Sequence, residues 1–261
     1  MSFIKKSPSE TYKDILYVDN SNSGVDGTAR AVKSGSGVDS VVRISSKELA
    51  LTPSEDTTST FGVLDSGSNA KFVVDTTNDT VKALGVHVNT QYATFGQSSV
   101  ELSAYQANIH YAVPIGFRYT TTLYPVEIGT GTDPDTTFTT AEANKERASD
   151  IAACLLYLPD AISIDSVTSI EGADTATGDT TRMHLMSYTF TSGSTSCLTA
   201  GVLLAHNSDV SGDGSEQAYK STWTVDSAAV TAGKVIFATF RQDSVNSDHS
   251  INIILKYHIT G

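Results

Sequence analysis

The run SINIILKYHI, Ser250 to Ile259, decides the fold class. Ile251, Ile253, Leu255, Tyr257 and Ile259 fall on one phase, and Ser250, Asn252, Ile254, Lys256 and His258 on the other. A period of two is the mark of a strand with one buried face. IHYAVPIGFRYT, from Ile109 to Thr120, repeats it: Ile109, Tyr111, Val113, Ile115, Phe117 and Tyr119 alternate with His110, Ala112, Pro114, Gly116, Arg118 and Thr120. The candidate core of this domain is therefore Ile109, Tyr111, Val113, Ile115, Phe117, Ile251, Ile253, Leu255 and Tyr257. Pro114 cannot donate to a ladder, so it marks an edge or a bulge.

Shorter runs lie between these two, among them AISIDSV, RMHLMSYTF, CLTAGVLLA and KVIFATFRQ, parted by turn clusters such as EGADTATGD and SDVSGDGSE. Roughly eight or nine strands at this spacing predict an antiparallel β-sandwich or jelly-roll-like head over 106–261. Only TTAEANKERASD reads as a short helix, with Thr140 as its N-cap. The chain as a whole is expected to be all-β.

The first hundred residues have another texture. ILYV, SVVRI, FGVL, KFVV and TVKALGVHV are short apolar runs, each bounded by Ser, Thr, Gly, Asn or Asp. They are too few for an ordinary monomeric core, and identical chains that share an axis would supply the missing faces. The expected organisation is an arm over 1–13, a slender β stalk over 14–105 and the head from 106. The candidate residues for a core shared between copies are Ile15, Tyr17, Val42, Ile44, Phe61, Val63, Phe72, Val74 and Val81.

With 17 basic and 29 acidic residues, the net charge of −12 disfavours nucleic acid as a partner. No run is long enough for a membrane helix or a secretory leader, so neither membrane insertion nor Sec export is expected. Cys154 and Cys197 lie among apolar or small residues and read as buried thiols.

Motifs with chemistry fall short. DVSGDGSEQAYK places Asp209, Ser211, Asp213 and Gly214 like a calcium loop, but Lys220 stands where a bidentate Glu is needed. DNSNSGVDGTAR likewise ends on Arg30, so both read as turns. The six histidines show no metal-ligand spacing, and His110 and His258 fall on the polar phase of their strands, as surface histidines would. SDHS around His249 reads as a turn, not a triad. A hydrolase would need two convergent carboxylates from acids such as Glu127, Asp133, Asp135, Asp165 and Glu171, and solvated loop acids account for all of them. Tyr188, Phe190, Tyr219 and Trp223 are expected in the core or in subunit contacts more than at a sugar-stacking surface. No cofactor, no metal and no enzymatic activity are expected.

TYKDILYVDNSNSGVDGTARAVKSGSG and FGVLDSGSNAKFVVDTTNDTVKALG resemble the stalks of virion structural proteins of tailed bacteriophages. TLYPVE, MHLMSY, AGKVIFATF and NSDHSINIILKYHI resemble the terminal β heads of that group. The resemblance implies a homotrimeric, non-enzymatic particle protein: a capsid decoration protein or head fibre on the virion exterior, or alternatively a tail fibre that recognises a host glycan or outer-membrane protein. The implied partners are further copies and the major capsid protein or another virion protein. Ser2, Phe3, Ile4, Lys5 and Lys6 are the candidate capsid anchor, an apolar foot beside two cations.

Overall fold

The computed structural model describes residues 16–21, 23–101, 106–119, 124–137, 152–174, 177–244 and 248–260. Among these the chain is all-β, without a helix. The helix expected at 139–150 and the anchor residues Ser2 to Lys6 lie outside the described residues, as does Ile15.

The chain divides into two compact units, Met1–Val88 and Asn89–Gly261. The sequence places this division later, at 105/106. Thr90–Glu101 has little alternation of large apolar residues, but it pairs along its length with the C-terminal strand and so belongs to the second unit.

The first unit holds two four-stranded antiparallel sheets in simple sequential order. One comprises β1 (Leu16–Val18), β2 (Arg30–Ser34), β3 (Asp39–Ile44) and β4 (Leu49–Leu51). The other comprises β5 (Phe61–Leu64), β6 (Ala70–Asp75), β7 (Thr80–Ala83) and β8 (Val86–His87). Polar residues make the hairpins: Asp65 accepts the N–H groups of Gly67 and Asn69, and Asp75 that of Asn78.

The second unit begins with β9 (Thr90–Glu101), β10 (Tyr111–Val113), β11 (Gly116–Tyr119) and β12 (Tyr124–Glu127). It continues through β13 (Leu156–Tyr157), β14 (Ile162–Asp174), β15 (Thr180–Phe190), β16 (Leu198–His206) and β17 (Val210–Ser211). The last strands are β18 (Glu216–Thr222), β19 (Thr224–Val225), β20 (Ala229–Val230), β21 (Lys234–Gln242) and β22 (Asp248–Ile259). A six-stranded sheet runs β11-β9-β22-β14-β18 with β20 on β14. An eight-stranded sheet runs β12-β10-β21-β15-β16-β19, with β13 on β21 and β17 on β15. The β9–β11 pair is parallel and the other pairs are antiparallel.

The run from Ile109 is two strands, not one. β10 joins the eight-stranded sheet and β11 the six-stranded one, and the chain crosses at Pro114 and Ile115, with Gly116 at φ +71°. Proline removes a ladder donor and glycine accepts the left-handed backbone, so the break sits where the chemistry allows it.

Both sheets feed one inner core. Phe95, Val167, Ile251, Ile253 and Leu255 from the six-stranded sheet meet Val113, Met183, Leu185, Ile236 and Phe240 from the eight-stranded one. Ile109 and Tyr111 are buried in it as expected, and Ile115 and Tyr257 pack against it. The eight-stranded sheet also buries its outer face. Ala112, Met186, Tyr188, Leu198, Val235 and Phe237 form a second core with Val126, Ile128, Cys154 and Cys197. Both cysteines are buried thiols.

Candidate functional site

The described residues of the first unit enclose almost no interior. Among its described residues Ala31 alone is buried, while Leu16, Leu49, Val63 and Leu84 keep half or more of their surface exposed. Strand register shows why. Directly opposed residues share a face of a sheet. In the second small sheet Phe61 stands opposite Val74, Val63 opposite Phe72, Phe72 opposite Ala83, Val74 opposite Val81, and Ala83 opposite Val86. One face across all four strands is therefore apolar and uncharged. The other carries Lys71, Asp75, Lys82 and His87.

The first small sheet is built alike. Val18 stands opposite Val32, Val42 opposite Leu51, and Ile44 opposite Leu49. Only Arg30, opposite Ile44, interrupts this face with charge, and its guanidinium is drawn to Asp26. Seven of the nine shared-core candidates thus lie on two coherent faces: Val42 and Ile44 on one, Phe61, Val63, Phe72, Val74 and Val81 on the other. Tyr17 does not. It stands opposite Lys33, on the reverse face from Val18. The continuous apolar run ILYV gives no phase from which to read this.

The loops that resemble calcium sites spend their oxygens locally. Asp26 accepts the Thr28 N–H at 2.8 Å and pairs with Arg30, which together hold its carboxyl down at about 2. Asp213 accepts the Ser215 N–H and the Gln217 amide, and Asp209 faces Arg182. These are turn carboxylates, as the sequence suggests.

In the second unit the histidines depart from expectation. His110 and His258 are buried. His258 Nδ1 reaches Asp165 at 2.9 Å, and His110 Nε2 reaches the Gly131 carbonyl at 3.0 Å. His184 and His206, directly opposed on β15 and β16, continue a row of imidazoles over the outer sheet face. His110 and His184 have ring centroids 4.9 Å apart, and His184 and His206 6.3 Å. Burial pushes His110 down to about 4 and His184 to about 3, so both are neutral at pH 7. His110 and His184 are buried because the eight-stranded sheet is covered on both faces, which alternation along one strand does not reveal; His258 belongs to the six-stranded sheet.

His249 lies in β22 and is buried, not in a turn. Its Nδ1 is 2.8 Å from Glu171, and the Thr181 hydroxyl donates to the same carboxylate at 3.0 Å. The carboxylate stands between hydroxyl and imidazole, so no base touches a nucleophile, and the order required for acyl transfer is missing. Of the five acids weighed, Asp133 faces His184 and Asp165 faces His258, while Glu171 is no solvated loop acid: it is buried within β14 and faces His249 and Thr181. Trp223 and Tyr188 are core residues, the indole N–H donating to Ser169 at 2.9 Å and the Tyr188 hydroxyl to the Asp135 carbonyl at 2.7 Å. Phe190 is exposed.

The arrangement can bind apolar surface through its first unit. In its second unit several buried polar groups are partnered internally, among them Glu171, Asn207 and Trp223. No protein-family model matches the chain, and no curated protein matches it.

Proposed function

We propose that this chain is a non-enzymatic virion structural protein of a tailed bacteriophage, a homotrimer that decorates the capsid exterior or forms a head fibre. The first unit is its trimerised stalk, and the second its jelly-roll-like head. One observation carries the self-association: two small sheets, one apolar across a whole face and the other apolar but for Arg30 and serines, with Ala31 the single buried residue among their unit's described residues. A sheet hydrophobic on one side needs a second layer. Permanent, apolar interfaces of this kind are formed mostly between copies of one chain, since another copy is present whenever the chain is made. The particle location rests on the resemblance of the stalk and head segments to phage virion proteins.

Light scattering on the full chain tests the assembly, and gold-labelled antibody to residues 106–261 on purified particles tests the location. Label spread over the capsid supports the reading. Label confined to the tail tip replaces it with a receptor-binding fibre, and unlabelled particles remove the virion role.

A further inference from the structure

We propose that residues 128–137 form an acid-released strap, held over the outer face of the eight-stranded sheet by neutral His110 and His184 and let go when these two imidazoles take up protons. The strap is clamped at two places. At one, the Ile128 N–H donates to the His110 carbonyl and the His110 N–H to the Gly129 carbonyl. His110 Nε2 meets the Gly131 carbonyl, and His184 Nε2 lies 3.4 Å from Asp133. At the other, the Tyr188 hydroxyl donates to the Asp135 carbonyl and the Gly201 N–H to the Thr136 carbonyl. A side chain at position 201 would run into Tyr188 and the Thr136 backbone, so this glycine admits the strap's close approach. Val126, Ile128, Met186, Tyr188 and Phe237 make up the outer core at this face.

The charged surroundings give the histidine clamp its pH sense. Arg182 on β15 and Arg241 on β21 stand directly opposite one another on the face that carries His184. His206 flanks from β16 and is bound to Asp226, Arg182 pairs with Asp209, and Arg241 donates to the Asn108 amide oxygen. The strap itself contributes Asp133 and Asp135. A proton on His184 would add a buried cation beside two guanidiniums and a second imidazole. Asp133 is 58% exposed, so solvent screens much of its compensating charge. Neither nitrogen of His184 has a hydrogen-bond partner, and the carboxylate near Nε2, Asp133 at 3.4 Å, is the exposed one.

Once the strap lifts, both rings reach water and titrate near the ordinary value of about 6.5. Each proton taken up on opening then favours the open state by about tenfold per pH unit below that value, or about a hundredfold for two. In the closed state burial keeps His110 mostly neutral down to about pH 4 and His184 down to about pH 3.

Cys154 and Cys197 lie in the outer core, whereas Trp223, the single tryptophan, lies in the inner one. This separates strap opening from unfolding. The full chain is labelled with a pyridyl disulfide, which reacts with thiols in acid, at pH 7, 6 and 5, and each rate is divided by that of the denatured chain at the same pH. The normalised rate should rise at least about tenfold from pH 6 to pH 5 while Trp223 emission stays constant. The slope should shrink in His184→Gln and vanish when His110→Gln is added. A flat rate in the unaltered chain, an undiminished slope in His184→Gln, or a Trp223 shift in step with labelling overturns the proposal. Should the double variant fail to fold, the single one decides.

Discussion

Phe61 and Phe72 meet edge to face, ring centroids 6.1 Å apart, on a sheet face where Phe61 keeps 42% of its surface exposed. An aromatic pair is among the strongest apolar contributions a sheet face can offer. Here it is set in line with Val63, Val74, Val81, Ala83 and Val86, and among the unit's described residues none of these is buried. The pair is the centre of the proposed contact between copies.

Val63→Arg should therefore break the assembly. The change removes from every copy a half-exposed valine that the proposed contact would cover, about 1 kcal/mol each, and places a cation on an otherwise apolar face. Lys82→Ala, on the reverse face of the same sheet, should leave the mass in solution unchanged. Light scattering on both variants checks the contrast, and equal masses would remove this face from the contact.

Gly201→Ala should destabilise the second unit by about 1–3 kcal/mol, since a Cβ there would lie 2.6 Å from the Tyr188 ring and 2.9 Å from the Thr136 backbone. Chemical denaturation followed by Trp223 emission measures it. Gly172→Ala is the control: its Cβ would meet only Ser250, at an ordinary 3.6 Å.

Ser169→Ala should cost about 1–3 kcal/mol by leaving the buried indole N–H of Trp223 without its acceptor. Ser169→Thr keeps a hydroxyl and tests whether the loss comes from the hydrogen bond or from packing.

The stability of the second unit should fall on acidification. An unfolded histidine gains its proton near pH 6.5, whereas His110 and His184 resist until about 4 and about 3 in the fold. Between those limits the unfolded chain binds more protons, so stability is full above about pH 6.5 and drops below it, by about 1.4 kcal/mol per pH unit for each histidine. Urea midpoints at pH 7 and pH 5 read the slope, and His184→Gln should flatten it.

How far the sequence carries is visible in particular residues. Period-two alternation suffices for Ile251, Ile253 and Leu255, because one strand face meets a core and side chains cannot change sides without a register slip. The apolar faces of the small sheets are legible wherever runs are flanked by polar residues, as with Phe72 and Val74. In the unbroken run ILYV only pairing with β2 separates Tyr17 from Val18. β9 is hidden because Gln97 and Ser98 are buried in it, and its neighbours β11 and β22 define it more than its own residues do. The histidine row is hidden for a related reason: His110, His184 and His206 come from three separate stretches, and only the order β10-β21-β15-β16 brings them to one face.

The most direct test of the central claim is the solution mass of the full chain, joined to hydrogen exchange over residues 16–88. The account predicts three times 27.6 kDa, with amides of β5, β6 and β7 protected only in the assembled form. A particle of 27.6 kDa whose small sheets are as well protected as β22 would contradict it.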